Sequence, residues 1–143
     1  MSYEIERHPK TGEVQATGEN QEEAFENITL ALNELTFGET GNDVYKIELE
    51  AEGLTPLLLK YLQRLVDLQD TENTTIGKPK KIKIEKNKET LHQRLEAEIY
   101  MDKRTGGKYW PIKHIKTNHT EIDYQAGEGW TAETQLKFDT RNR

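Results

Sequence analysis

Few side chains in this chain are both chemically capable and arranged to act together. The four histidines, His8, His92, His114 and His119, are scattered, and His114 and His119 fall on opposite faces of one predicted strand. That spacing does not make a histidine metal set, which needs ligands converging from one face. There is no cysteine, so disulfides, thiolate metal sites and cysteine nucleophiles are excluded. No phosphate loop, GxSxG or HExxH motif is present, and no nucleophile stands beside a base in sequence. The chain therefore reads as a non-enzyme. Two features remain. Lys78, Lys80, Lys81, Lys83, Lys86 and Lys88 form a basic run across a loop and a strand. They read either as protection of a sheet edge or as phosphate contacts of a small RNA-binding or chaperone-like module. Asp139 follows Phe138 near the end of the last strand, so it points away from the core and is a candidate for either solvation or function.

The elements that would position these groups can be read from periodicity. Tyr3 to Arg7 and Glu13 to Thr17 read as short strands around a His8–Gly12 turn. Asn20 is a predicted helix N-cap with Glu23 in the capping-box position. Ala24, Phe25, Ile28, Ala31, Leu32 and Leu35 then recur at helical spacing, with Asn27 and Asn33 among the residues of the polar side. Gly38 is the expected stop. Tyr45, Ile47, Leu49 and Ala51 alternate as a half-buried strand. A second helix is expected with Thr55 as N-cap and Pro56 at its first position. Leu58, Tyr61, Leu62, Leu65 and Leu68 form its stripe, widened by Leu57, Leu59 and Val66, so it should be the more deeply buried of the two.

Asp70 to Pro79 reads as a polar loop. Alternation then marks strands through Ile82 and Ile84, from Leu91 to Ile99, from Ile112 to Tyr124, and from Trp130 to Phe138. Gly106-Gly107 and Gly127 to Gly129 read as turns. A change of phase between Ile112 and Ile115 suggests a bulge. The expectation is one α+β domain over residues 1–143. Two amphipathic helices pack on a mixed β-sheet, in the order ββαβα followed by four strands.

The net charge of −6 is unevenly spread. Residues 1–75 carry 5 basic and 16 acidic side chains, a net of −11, and residues 76–143 carry 15 and 10, a net of +5. This pattern reads either as chance variation of solvated faces or as two faces meeting different partners. Overall acidity disfavours a stand-alone nucleic-acid binder. The N-terminus lacks a signal-peptide pattern, and no apolar run approaches the roughly 20 residues needed to span a bilayer. A cytoplasmic protein with no membrane partner is expected.

Two stretches resemble the archease family. The first is Tyr3-Glu4-Ile5-Glu6-Arg7-His8, then Gly18, then Glu22-Glu23-Ala24-Phe25-Glu26-Asn27 and Leu30-Ala31-Leu32. The second is Ile112-Lys113-His114-Ile115-Lys116 together with Trp130-Thr131-Ala132 through Phe138-Asp139-Thr140. Leu57 to Asp70 is similar to the family's second helix, so the resemblance covers nearly the whole chain. It implies an accessory protein, not an enzyme, that promotes guanylylation and turnover of an RtcB-type RNA ligase in tRNA splicing, with RNA contact indirect or weak. It implies Lys113 as an activating residue and a weak divalent-metal site, calcium being the expected ion. Asp139 would be the carboxylate ligand, with Thr140 contributing backbone and Thr11 standing where the family has an aspartate. The family's His-Thr-Ala-Asp-Val-Gly turn reads here as His8-Pro9-Lys10-Thr11-Gly12-Glu13. Thr11 is thus a neutral hydroxyl in place of an anionic ligand. That departure also leaves room for a divergent relative without ligase activation.

Overall fold

Alternating strands that bury one face, joined to helices that bury one stripe, can share a core only by stacking in layers. The computed structural model, which describes residues 2–39 and 41–140, does this with two sheets and two helices. Strands β1 (Tyr3–Arg7), β2 (Thr11–Gly18), β9 (Gly129–Phe138) and β7 (Ile112–Ile115) lie side by side in that order. Strand β8 (Glu121–Gln125) also pairs with β9. In the second sheet β6 (Gln93–Lys103) is flanked by β3 (Asp43–Ala51) on one side and by β4 (Thr74–Thr75) and β5 (Pro79–Lys86) on the other. Helix α1 (Gln21–Leu35) packs on β1, β2 and β9 and also on β5, while α2 (Leu54–Thr71) packs on β7 and β8 and on β3, β4 and β6. The helices therefore lie between the sheets, and each sheet keeps one outer face in solvent. No helix among the described residues is long and apolar enough to cross a membrane.

The α+β class and the order ββαβα followed by strands are as expected. Beyond α2 the four expected strands become six. The short β4 interrupts the supposed polar loop, and the strand expected over Ile112 to Tyr124 is divided by a 3-10 turn at Thr117–His119. Among the described residues every strand pairing is antiparallel, so the sheets are antiparallel, in place of the expected mixed sheet. The expected bulge is present, between Ile112 and His114.

Local chemistry accounts for the other differences. Asn20 caps α1, its Oδ1 accepting from Glu23 N at 2.8 Å. Phe37, not Gly38, takes the left-handed position after the helix, with φ 57°. A Schellman pair closes the turn, Gly38 N donating to Asn33 O at 2.8 Å and Phe37 N to Glu34 O at 3.2 Å. Gly38 is needed for a different reason, since a Cβ there would meet Ile76 O at 2.3 Å. Thr55 does not cap α2. The helix begins two residues earlier than expected, at Leu54 after Gly53, and the Thr55 hydroxyl bonds the β8 backbone instead, accepting from Ile122 N at 3.2 Å and donating to Ile122 O at 3.3 Å.

Helix α1, not α2, is the more enclosed, with 9 of its 15 residues buried against 7 of 18. The reason is its polar side. Asn27 and Asn33 are buried because each has a backbone acceptor, Thr17 O at 2.7 Å and Ile76 O at 2.9 Å. Thr74, Thr75 and Ile76, placed in a polar loop by composition, are buried as well. Leu91 lies outside the strand it was assigned to, exposed and at φ 65° in the turn before β6. Trp130, Ala132, Thr134, Leu136 and Phe138 alternate with the more exposed Glu133, Gln135 and Lys137, as expected, although Thr131 is also buried.

Among the glycines the tightest backbone approach is at Gly77, where an added Cβ would lie 1.7 Å from Tyr100 O. Backbone cannot yield as a side-chain tip can. Gly77→Ala is expected to cost on the order of 3 kcal/mol or more in urea unfolding, whereas Gly106→Ala, at an open position of positive φ, should cost about 1–2 kcal/mol. Equal midpoints for the two variants would contradict this packing.

Candidate functional site

The last residues of β9 are clipped on both sides. Phe138 N donates to Lys10 O at 3.0 Å, which ties the strand to the turn between β1 and β2. Asp139 N then donates to Pro111 O at 2.8 Å, which ties it to the start of β7. One residue back, Lys137 lies in register with Thr11 on β2 and with His114 on β7. The bulge places Lys113 as the extra residue beside this row, and both Lys113 and His114 are exposed. Thr11, Lys113, Asp139 and Thr140 thus come from three distant parts of the sequence to one end of one sheet. Thr140 directly follows Asp139 and is exposed.

The surroundings of this end are rigid. Phe138 stacks edge-on against Trp110, centroids 5.1 Å apart, and Trp110 meets Phe37 at 5.7 Å. The Arg7 guanidinium lies 4.0 Å over the Phe37 ring and donates to the last-turn carbonyls of α1, to Leu35 O and to Glu34 O, both at 3.0 Å. Helix α1 has no cation in its own last turn, so Arg7 supplies the positive charge that its carbonyl end favours. Trp110 N bonds the next carbonyl, Thr36 O, at 2.9 Å.

These residues do not fit a divalent cation. A hard ion of the calcium type takes six to eight oxygens, several of them anionic. Here Thr11 offers a neutral hydroxyl beside the Lys137 ammonium in the register, and Asp139 is one carboxylate. Glu13 shares the outer face of β2 but lies opposite Gln135, beside other carboxylates. Among the described residues no group of three or more His, Cys, Asp or Glu is placed to hold a metal.

Farther along the same outer face the charge is reversed. Glu4, Glu6, Glu13, Glu121 and Glu133 line a shallow groove of about 670 Å3 with His119. Glu121 and Glu133 stand directly opposite in the β8–β9 register. Their hydrogen bond, with partial burial and the nearby charges of Glu121 and Glu13, holds the Glu133 carboxyl above its usual range, and His119 works the other way.

The lysines of β5 do not form a separate basic stripe. Lys81 and Lys83 face Glu98 and Glu96 on β6, which in turn face Lys46 and Glu48 on β3, and Lys83 also pairs with Glu85 at 3.0 Å. Among the described strands β5 pairs with β6 alone, so its lysines lie at a sheet edge. The acid-rich and base-rich halves of the sequence are likewise interleaved, since each sheet draws strands from both.

Two side chains central to this geometry escaped the sequence reading. Arg7 carried no local signal, because its partners lie 27 and 28 residues away. Gln69 carried one. It continues the apolar stripe of Leu58, Leu62 and Leu65 at helical spacing, and a polar residue in such a stripe must find buried partners.

Comparison with known proteins identifies the family and the fold. The profile of the archease protein family matches residues 3–136. A protein of Pyrobaculum neutrophilum named "Protein archease" is 29% identical over 132 residues, covering 90% of this chain and 89% of its own. A second "Protein archease", from Pyrococcus abyssi, is 28% identical over 106 residues, 72% of each chain. The solution structure of protein 1598 of Methanobacterium thermoautotrophicum superposes with a TM-score of 0.72 at 24% identity, over 95% of this chain and 98% of that one. The crystal structure named "an archease, possible chaperone" from Thermotoga maritima gives 0.54 at 16% identity, over 90% and 89%. At those identities the structural likenesses carry the fold alone.

Two outcomes are expected. A calorimetric titration with calcium should show no site tighter than about millimolar, the soft end of the calcium range; binding at Asp139 in the micromolar range would contradict the donor count. Folding makes the protonated form of Glu133 more favourable than it is in the unfolded chain. Its contribution to stability is therefore present below the ordinary carboxylate range and lost as pH rises through its raised folded-state range. Glu133→Gln should remove that dependence and stabilise the chain at pH 7 by about 0.2–1 kcal/mol, the cost of like charges directly opposite in a sheet. Thermal melts at several pH values read both effects, and a variant less stable than the parent at pH 7 would refute the repulsion.

Proposed function

The chain belongs to the archease family, and on that premise we propose that it is an accessory protein which raises the guanylylation and turnover of an RtcB-type RNA ligase. The observation that supports this is the convergence of Lys113 and Asp139 at one end of the first sheet, tied there by the Phe138–Lys10 and Asp139–Pro111 hydrogen bonds. An exposed ammonium on a braced strand can contact a phosphate as a point charge. A carboxylate beside it can orient a lysine or a metal belonging to the partner's nucleotide site. Neither group needs a resident metal in this chain, which suits the donor set at Thr11 and Asp139. The name "possible chaperone" given to the Thermotoga maritima relative is compatible with an assisting role. The alternative of an RNA-binding module on Lys78–Lys88 is less well supported, because Lys81 and Lys83 stand opposite carboxylates.

The test is reconstitution with the ligase from the same source, scoring the fraction of ligase that carries covalent GMP. The parent protein should raise that fraction. Lys113→Ala and Asp139→Ala should each lower the stimulation on the order of tenfold, the loss of one charge-assisted contact of about 1.5 kcal/mol, with melting temperatures unchanged. No stimulation by the parent protein would overturn the function; full stimulation by both variants would overturn the site.

A further inference from the structure

Gln69 is wholly buried near the C-terminal end of α2. Its Oε1 accepts from Ile112 N at 2.9 Å and from the Tyr109 hydroxyl at 2.7 Å. Its Nε2 donates to Ile112 O at 2.9 Å and to Asp70 Oδ1 at 3.0 Å. A primary amide has two N–H groups and two strong acceptor sites, so its capacity is fully used. The two-way exchange with Ile112 is what a neighbouring antiparallel strand would provide. Strand β7 has β9 on one side, and at Ile112 the Gln69 amide stands in for a strand on the other.

Ile112 lies between the two points that matter. The residue before it, Pro111, accepts from Asp139 N, and the residue after it is Lys113 at the bulge. The amide is itself held. The Tyr109 hydroxyl that donates to Gln69 also accepts from Ile76 N at 3.0 Å. A phenol is already protonated at neutral pH, and burial pushes Tyr109 further above its usual range. Arg104 bonds the Gln69 carbonyl at 2.9 Å and Thr74 O at 3.2 Å, fixing the helix end against β4.

We propose that Gln69 is a positioning residue for the site, acting through the Ile112 backbone to place Lys113 and Asp139. Its functional part rests on the ligase-activating role argued above; its geometric part does not. Glutamate cannot replace it, because a carboxylate has no N–H for Ile112 O. Methionine has similar length and leaves both Ile112 groups without their partner.

The experiment uses the full chain in two variants, Gln69→Met and Tyr109→Phe. Amide hydrogen exchange followed by NMR should show Ile112 and Asp139 exchanging about tenfold or more faster in Gln69→Met, with Ile47 and Leu49 on β3 unchanged. Tyr109→Phe, which keeps the Ile112 exchange with Gln69, should give a smaller change at the same amides and serves if Gln69→Met fails to fold. In the guanylylation assay Gln69→Met should lower the maximal stimulation at saturating protein without moving the half-saturating concentration. A merely structural role would do the reverse, since fewer folded molecules shift the midpoint and leave the maximum intact. Unchanged exchange at Ile112 and Asp139, or an unchanged maximum, would overturn the proposal. If the parent protein gives no stimulation, the functional premise fails, and the exchange measurement still decides whether Gln69 sets this backbone.

Discussion

Strand β9 is hydrogen-bonded along one edge to β2 over its upper and lower halves alike, and along the other edge to β8 and then β7. That shared strand is the constraint from which the site follows. Its inner residues Ala132, Leu136 and Phe138 fill the layer against the helices, so its register cannot slip by one without turning them to solvent. With the register set, Lys137 must lie between Thr11 and His114, and the chain beyond Phe138 must pass between Lys10 and Pro111. The positions implied by the family resemblance gain a spatial meaning only through this pairing.

The parts that were legible in the sequence are those decided by near neighbours. The Asn20 cap, the alternation of β3 and β9 and the bulge before His114 all follow from residues a few positions apart. The parts that were not legible depend on distant partners. Thr55 is a sound capping residue by type, but Ile122, 67 positions away, competes for its hydroxyl. Asn33 looks like a solvent-facing residue until Ile76 O is brought to it. Phe37 adopts a backbone conformation that favours glycine, held there by the Arg7 stack and the Trp110 ring. The candidate site was legible as residues, through resemblance, and not as geometry, because nothing local tells that positions 11, 113 and 139 lie at one end of one sheet.

Charge shows the same separation between composition and arrangement. A difference of sign between the halves of the sequence fits either chance variation of solvated faces or two faces meeting different partners. Antiparallel pairing across the halves instead mixes the signs within each sheet. On the outer face of the first sheet an acidic groove around Glu133 gives way to Lys137, His114 and Lys116 at the site end. On the second sheet Lys81 and Lys83 lie opposite carboxylates. Counterion release, the main source of affinity for a nucleic-acid backbone, needs cations that are not already neutralised by neighbours. Lys81 and Lys83 at the centre of the lysine-rich strand are poorly suited to that task.

The ligase contact proposed above lies at this end of the first sheet. NMR of isotopically labelled protein titrated with unlabelled ligase tests it most directly. Amide signals of Lys10, Lys113 and Asp139 should broaden or shift first, ahead of those in Pro79–Lys86. Perturbation confined to Pro79–Lys86, with Lys113 and Asp139 untouched at saturation, would contradict it.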